Sequence, residues 1–230
     1  MSENSVDALP VPFSTELLGT RHCLCLSAQL NDLENAIFGP DFACNYEQLK
    51  PWVDSGCLFY AAVCGEAVEG RKTILSEVSV FVTTSRARDR LIRGAIPEHE
   101  LEPWTNADTA QPTLYFSSVV SDSADHLAMM YTSLLGDIRA FRDQRGLTLH
   151  SGFGIASGRA GCRHMMKNGF RVLQGVKYRN NYEFLVIDAS TAATPFWQNL
   201  LESETLFIRK SETGELCSAE FPSGLSYAND

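Results

Sequence analysis

The sequence predicts one α+β or α/β domain, with a central mixed sheet and helices packed against it. Three observations carry this. CLFYAAVCGEA (57–67) and KTILSEVSVFVTTS (72–85) are rich in aromatic and β-branched residues and are separated by a turn-like EGR, so they read as adjacent antiparallel strands. A third strand-like run, TLYFSSVVS (113–121), leads into SADHLAMMYTSLLGDIRAFRDQRG, where Leu127, Met130, Leu134, Ile138 and Phe141 recur near helical spacing and Arg145-Gly146 closes the helix. Strand and helix then alternate again through LTLHSGFGIA (147–156), GRAGCRHMMKNGF and RVLQGVKYRNNYEFLVIDA.

The remaining elements follow in chain order. Residues 1–20 read as a loose leader. Asn31 can cap a helix with Glu34 at the capping-box position and Leu33, Ala36 and Ile37 on its apolar side, ending near Gly39-Pro40. A second short helix runs from Tyr46 to Val53, entered by Asn45 and left through Asp54-Ser55-Gly56. Residues 86–112, with Arg86, Arg88, Arg90 and Arg93, three prolines and Trp104, predict a polar helical segment and then a loop. In AGCRHMMKNGF, Gly169 is a C-cap and Phe170 packs beneath the last turn. The tail adds a helix around Phe196–Leu201 and a hairpin, LFIRK-SETGE-LCSAEF, which could extend the sheet or pair with a second chain in a homodimer.

The totals narrow the function. A chain of 230 residues with 44% hydrophobic and 20% charged residues can bury a sizeable core. A net charge of −9 argues against a general nucleic-acid binder and favours a cationic small molecule or peptide as partner. Seven scattered cysteines, several inside apolar runs, read as small buried hydrophobes of a reducing compartment. MSENSVDALPVPF lacks the basic start and apolar core of a secretory signal, and no apolar run reaches the roughly 20 residues a membrane span needs. A cytoplasmic protein without membrane contact is the expectation.

From about Asn31 to Asp188 the order helix–helix–strand–strand–strand–long helix–strand–short helix ending in Gly-Phe–strand resembles the GCN5-related N-acetyltransferase (GNAT) superfamily. AGCRHMMKNGF looks like that family's late helix, and VVSDSADHLAMMYTSLLGDI occupies the place of its signature strand, phosphate loop and long helix. The resemblance implies a mostly antiparallel central sheet with helices on both faces, an acyltransferase domain over 21–190, and residues 191–230 as an extension of it. It also implies acetyl-CoA or another acyl-CoA as co-substrate, an amine acceptor, direct attack on the thioester and no metal. Carried onto this chain, the thioester lies against backbone groups of about Ser117–Val120, and the coenzyme A contacts fall on Val119, Val120, Ser121, Ser123, Ala124, Asp125 and His126.

Two departures stand out. The loop Ser121–His126 has no glycine and carries two acids, which compete with a phosphate for the positive helix end. Met165 stands where the family often has a tyrosine that protonates the thiolate, and methionine has no proton to give. Two alternatives therefore stay open: a fold relative that has lost coenzyme A and binds a partner, or an enzyme using a carrier-bound donor.

Acyl transfer needs a base for the amine, and Glu77 in the apolar run LSEVSVF is the first candidate, because a carboxylate in such company has a raised pKa. Its plainer reading is a half-exposed face. Tyr115 and His150 are further candidates, each with a packed, hydrogen-bonded alternative. His164 is a candidate donor near the missing tyrosine. Cys162 and His164 stand at i,i+2 and point in different directions, and His22-Cys23-Leu24-Cys25 is half a metal site without a second half, so no metal is expected. Arg86, Arg90 and Arg93 share a helical side, with Arg88 elsewhere. Ser157-Gly158-Arg159-Ala160-Gly161 is either an anion nest or a tight turn, and Gly152-Phe153-Gly154 looks like a strand under close backbone approach.

Overall fold

The computed structural model describes residues 15–40, 43–66, 72–121, 123–178, 182–188, 191–192 and 195–201. In chain order these form β1 (Thr15–Gly19), α1 (Cys23–Phe38), α2 (Tyr46–Ser55), β2 (Leu58–Glu66), β3 (Lys72–Thr84), α3 (Ser85–Ile92), β4 (Pro112–Val120), α4 (Ala124–Arg145), β5 (Ser151–Ala156), α5 (Arg159–Lys167), β6 (Arg171–Tyr178), β7 (Tyr182–Asp188) and α6 (Pro195–Leu200). Seven strands make one sheet in the order β1-β2-β3-β4-β5-β7-β6. Only the β4–β5 pair among the described strands is parallel; the connection between them is α4, as a parallel crossover requires.

Alternation along the central strands divides their side chains between two apolar layers. Leu58, Tyr60 and Ala62 of β2 join Leu26 and Leu30 of α1 and Leu49 of α2 on one face. Phe59, Ala61 and Val63 of β2 and Val78, Val80 and Val82 of β3 join Met130, Leu134 and Ile138 of α4 and Trp197 of α6 on the other. Helices thus cover both faces, and strands buried on both sides read as nearly continuous apolar runs.

Most boundaries expected from the sequence are met. Asn45 and Gln48 form a reciprocal capping box on α2, and Gly56 ends that helix at φ 69°. Gly169 has φ 96°, a left-handed conformation that only glycine adopts cheaply. The α6 helix is present and contributes Trp197, Leu200 and Leu201 to the core. The hairpin expected beyond it and the EGR turn lie outside the described residues.

Three expectations are corrected. Residues 15–19, assigned to the leader, form β1 and pair with β2 over Thr15↔Gly65 to Gly19↔Ala61. Asn31 does not start α1, which begins at Cys23; Cys23, Leu26, Leu30 and Glu34 at helical spacing form its buried face, so burial rather than a cap decides the boundary. Asn31 instead donates its side-chain amide to the Cys44 carbonyl at 3.2 Å. Residues 147–150 precede β5 rather than beginning it, although Leu149 is buried.

Candidate active site

The site is built where β4 and β5 part. Their pairing covers Leu114↔Gly152, Tyr115↔Phe153 and Phe116↔Gly154 only, while β4 runs on to Val120. On its other edge β4 steps from Phe116 opposite Val80 to Ser118 opposite Ser79, so Ser117 is an extra, bulged residue. Ser117 therefore has no register partner on either side, at the point where the two parallel strands separate. A bulge is a local way to turn backbone groups out of a ladder and towards a ligand.

The close approach just before the split explains the glycines of β5. A Cβ on Gly154 would stand 2.5 Å from Met165 Cε and 3.3 Å from the Phe116 carbonyl oxygen. One on Gly152 would stand 3.1 Å from the Phe116 ring and 3.2 Å from Ile187. The sequence expectation of tight backbone contact at Gly152-Phe153-Gly154 is met.

Two cavities meet at this point. One, of about 280 Å³, opens between the parted strands; Ser117, Val119 and Ser121 line it from the β4 side, Ile155 and Ala156 from β5, and Ala160, Gly161, His164 and Met165 from α5. The other, of about 360 Å³, lies between α2, residues 98–103 and β4. Glu98, Tyr115 and Ser117 line both.

Tyr115 is buried and donates its hydroxyl to Glu98 Oε1 in a short hydrogen bond. Its ring stacks on Phe153 at 4.7 Å, which fixes the hydroxyl's direction. Burial, and next the Glu98 charge, push its pKa well up, so it is a protonated phenol at neutral pH. Glu98 sits on a 3-10 turn, Glu98–Glu100, and its backbone N–H donates to the Tyr178 hydroxyl at 3.0 Å. Sequence reading passed over Glu98 because it lies in a charged, irregular segment with no periodicity to mark it.

Glu77 is fully buried beneath α1 and lines neither cavity. It accepts a short hydrogen bond from the Ser118 hydroxyl, one residue past the bulge, and its Oε2 has no hydrogen-bond partner among the described residues. Burial raises its pKa to about 7, with the Ser118 bond opposing. Glu34, read from sequence as part of a cap, is also buried and accepts the Cys44 N–H at 2.7 Å. Its pKa is raised to about 8, by burial first and then by the Glu77 charge. The expected upward shift at Glu77 is present. The side chain does not reach either cavity, because β3 points it under α1; its link to the bulge is the hydrogen bond from Ser118.

On the α5 side, His164 lines the splay cavity, and its Nε2 lies 2.9 Å from the Tyr131 hydroxyl, with the two rings nearly parallel at 6.0 Å. Burial, then Lys167, lowers the His164 pKa, and burial raises that of Tyr131. Both are neutral at pH 7. Tyr131 was missed in the sequence because it lies one position off the apolar stripe of α4. Met165, at the position of the missing tyrosine, packs over Gly154 instead.

The loop before α4 is held by its own hydroxyls. Ser123 caps the helix by accepting the His126 N–H at 3.1 Å, and Ser121 donates to the Ser123 carbonyl at 2.6 Å. His126 Nδ1 is 3.5 Å from the Ser76 hydroxyl. Asp125 is exposed in the first turn of α4, while Ala124 stands at its N-terminal end. Of the expected coenzyme A contacts, Val119 and Ser121 reach the splay cavity. Val120 pairs with Glu77 on β3, and Asp122 lies outside the described residues. The N-terminus of this 22-residue helix favours an anion, whereas Asp125 in its first turn opposes one.

His150 does not join the site. It precedes the first residue of β5, six residues from the end that opens, or about 20 Å along a strand. Arg86, Arg90 and Arg93 line a surface cavity on α3, and Arg88 turns inward to Ser151 at 3.0 Å, as the helical spacing predicts. Ser157, Ala160 and Gly161 do line the splay cavity. Cys162 is partly packed against the core. Among the described residues no group of three His, Cys, Asp or Glu side chains is placed to hold a metal, and no helix is long and apolar enough to cross a membrane.

No protein-family model matches the sequence, and no curated protein matches it. Solved structures with a similar layout include Arabidopsis thaliana NAA60 in complex with acetyl-CoA, 10% identical over 75% of this chain and 96% of that one, with a TM-score of 0.45. An aminoglycoside 6'-acetyltransferase type Ii is 11% identical over 76% and 96%, with a TM-score of 0.40. A GNAT-family acetyltransferase from Staphylococcus aureus Mu50 is 9% identical over 76% and 99%, with a TM-score of 0.41. At such distances nothing about site or substrate passes from one protein to another. The chain is a mixed α/β protein with a mostly antiparallel sheet, and its own strand order and pairing carry that statement.

Proposed function

We propose that the chain is an acyl-CoA-dependent N-acyltransferase in which an amine attacks the thioester directly. The observation that carries this reading is the Ser117 bulge, lining both cavities where β4 leaves β5. The thioester arm occupies the splay cavity with its carbonyl oxygen at the Ser117 backbone N–H, and the amine enters from the other side. The nitrogen lone pair forms the N–C bond, and the C–S bond breaks with its pair on sulfur. Glu98, next to Tyr115, takes the proton lost by the amine. The Tyr131–His164 pair supplies the proton that the leaving sulfur takes, in place of the tyrosine replaced by Met165. Glu77 and Ser118 position the strand beside the bulge.

The pyrophosphate has the backbone N–H groups of the α4 N-terminus to meet it, since the Ser121 hydroxyl already donates to the Ser123 carbonyl. The loop's acids support a second reading, a carrier-bound donor gripped less at this loop.

Calorimetric titration with acetyl-CoA and with free CoA tests the reading. Micromolar binding of both, followed by amine-dependent release of CoA that Glu98→Gln lowers about 100-fold, is the expected result. Failure of both ligands at millimolar concentration, with transfer from an acyl carrier protein retained, selects the second reading. Failure of every donor leaves a partner-binding protein.

A further inference from the structure

The 360 Å³ cavity has a composition that selects among amines. Glu47 of α2, Glu98 and Glu102 line it, His99 is exposed at its edge, and no lysine or arginine lines it among the described residues. Its apolar wall includes Trp52, Phe81 and Tyr115, with the Trp52 and Phe81 rings edge to face at 4.7 Å and Phe81 and Tyr115 stacked at 6.2 Å. Phe81 and Tyr115 are buried, whereas Glu47 and Glu102 are exposed at the mouth. Acids at the rim, one acid at the floor beside Ser117, and an aromatic wall between them make a graded pocket: charge attracts, apolar surface holds, Glu98 orients.

We propose that the acceptor is a small primary amine with an aromatic or compact apolar body and no carboxylate, bound as its ammonium ion with the nitrogen at Glu98. This deepens the acyltransferase reading and rests on it for the word acceptor, but the binding claim stands on the cavity alone. The volume lies at the lower end of small-molecule pockets, roughly 300–1,000 Å³, which suits one compact molecule better than a folded-out peptide. An ammonium gains from Glu98 and from the faces of the aromatic residues. A carboxylate on the same molecule meets three acids, and like-charge contact is the stronger discriminator. The net charge of −9 adds steering of cations that salt weakens.

The test is equilibrium binding to the full chain without any donor, read by tryptophan fluorescence and calorimetry. The probes are 2-phenylethylamine, 2-phenylethanol, phenylalanine and a short peptide with a free N-terminus. The amine is expected to bind at least tenfold more tightly than the alcohol and phenylalanine, and to weaken as salt rises. Glu98→Gln and, as a second variant that keeps the Glu98 charge, Trp52→Leu should each weaken it at least tenfold. An alcohol that binds as well as the amine overturns the proposal, as does a peptide that binds more tightly than both. Coenzyme A binding with no amine binding sinks this inference alone; amine binding with no coenzyme A binding sinks the transfer reading and leaves the pocket assignment standing.

Discussion

At the residue scale, the buried pair Glu34 and Glu77 makes stability depend on pH. Both have folded pKa values above the ordinary carboxylate value of 4.5. Their contribution is therefore fully present below about pH 4.5 and is lost as pH rises through about 7 to 8. For Glu77 alone the shift corresponds to roughly 3 kcal/mol, at about 1.4 kcal/mol per pKa unit. Glu77→Gln, which keeps the shape and a hydrogen bond to Ser118, should flatten the fall in Tm between pH 5 and 8. A variant whose Tm follows pH as steeply as the native chain contradicts this assignment. Gly154→Ala tests the close approach in the same way: Met165 Cε can swing aside, the Phe116 carbonyl cannot, so a loss of 1–3 kcal/mol in denaturant unfolding is expected.

Elements act through their ends and irregularities. Proline at Ser117 removes a backbone N–H from a residue without a register partner, whereas proline at Leu114 breaks a paired ladder. Ser117→Pro should thus lower acyl transfer by about 10²–10³ while shifting Tm far less than Leu114→Pro. Equal loss of Tm in the two variants argues against the bulge. Ser123→Ala should cost about 1 kcal/mol through the lost cap on α4. On α6, Trp197 meets Phe116 at 4.8 Å, Phe170 at 5.6 Å and Tyr131 at 6.4 Å, linking α6, β4, α4 and the α5–β6 connection. Trp197→Ala should cost about 3–5 kcal/mol in chemical denaturation, and a cost under 1 kcal/mol would show α6 to be an appendage.

For the whole molecule, the two apolar layers set which chemistry faces which cavity. Residues of the α1–α2 face, Tyr115 and Phe81 among them, wall the 360 Å³ cavity; Phe116 and Met165 of the α4–α5 face line the splay cavity, which Tyr115 also reaches. Only at the split, where β4 has no neighbour on its β5 side, can groups from both faces reach one point. A sheet closed along its full length would keep the two cavities apart.

The elements were largely legible in the chain. Continuous apolar runs marked β2, β3 and β4, the Met130–Leu134–Ile138 stripe marked α4, and the Asn45/Gln48 and Asn168-Gly169 signals marked helix ends, because periodicity and caps are local properties of sequence. Tyr115 and His164 were also recognisable as candidates, from the apolar setting of one and the neighbourhood of the other. Glu98, Tyr131, Ser117 and Glu34 were not, since each gains its role from a partner distant in sequence: Tyr115, His164, the β3 register and Cys44. His150 fails for the same reason in reverse, having the right chemistry at the wrong end of β5. The sequence by itself determined a single α+β or α/β domain with helices against a mixed sheet, because apolar strand runs and amphipathic helices admit few other packings. The bulge, the splay and the meeting of two cavities were decided by tertiary structure alone, through register and strand divergence that no single segment encodes.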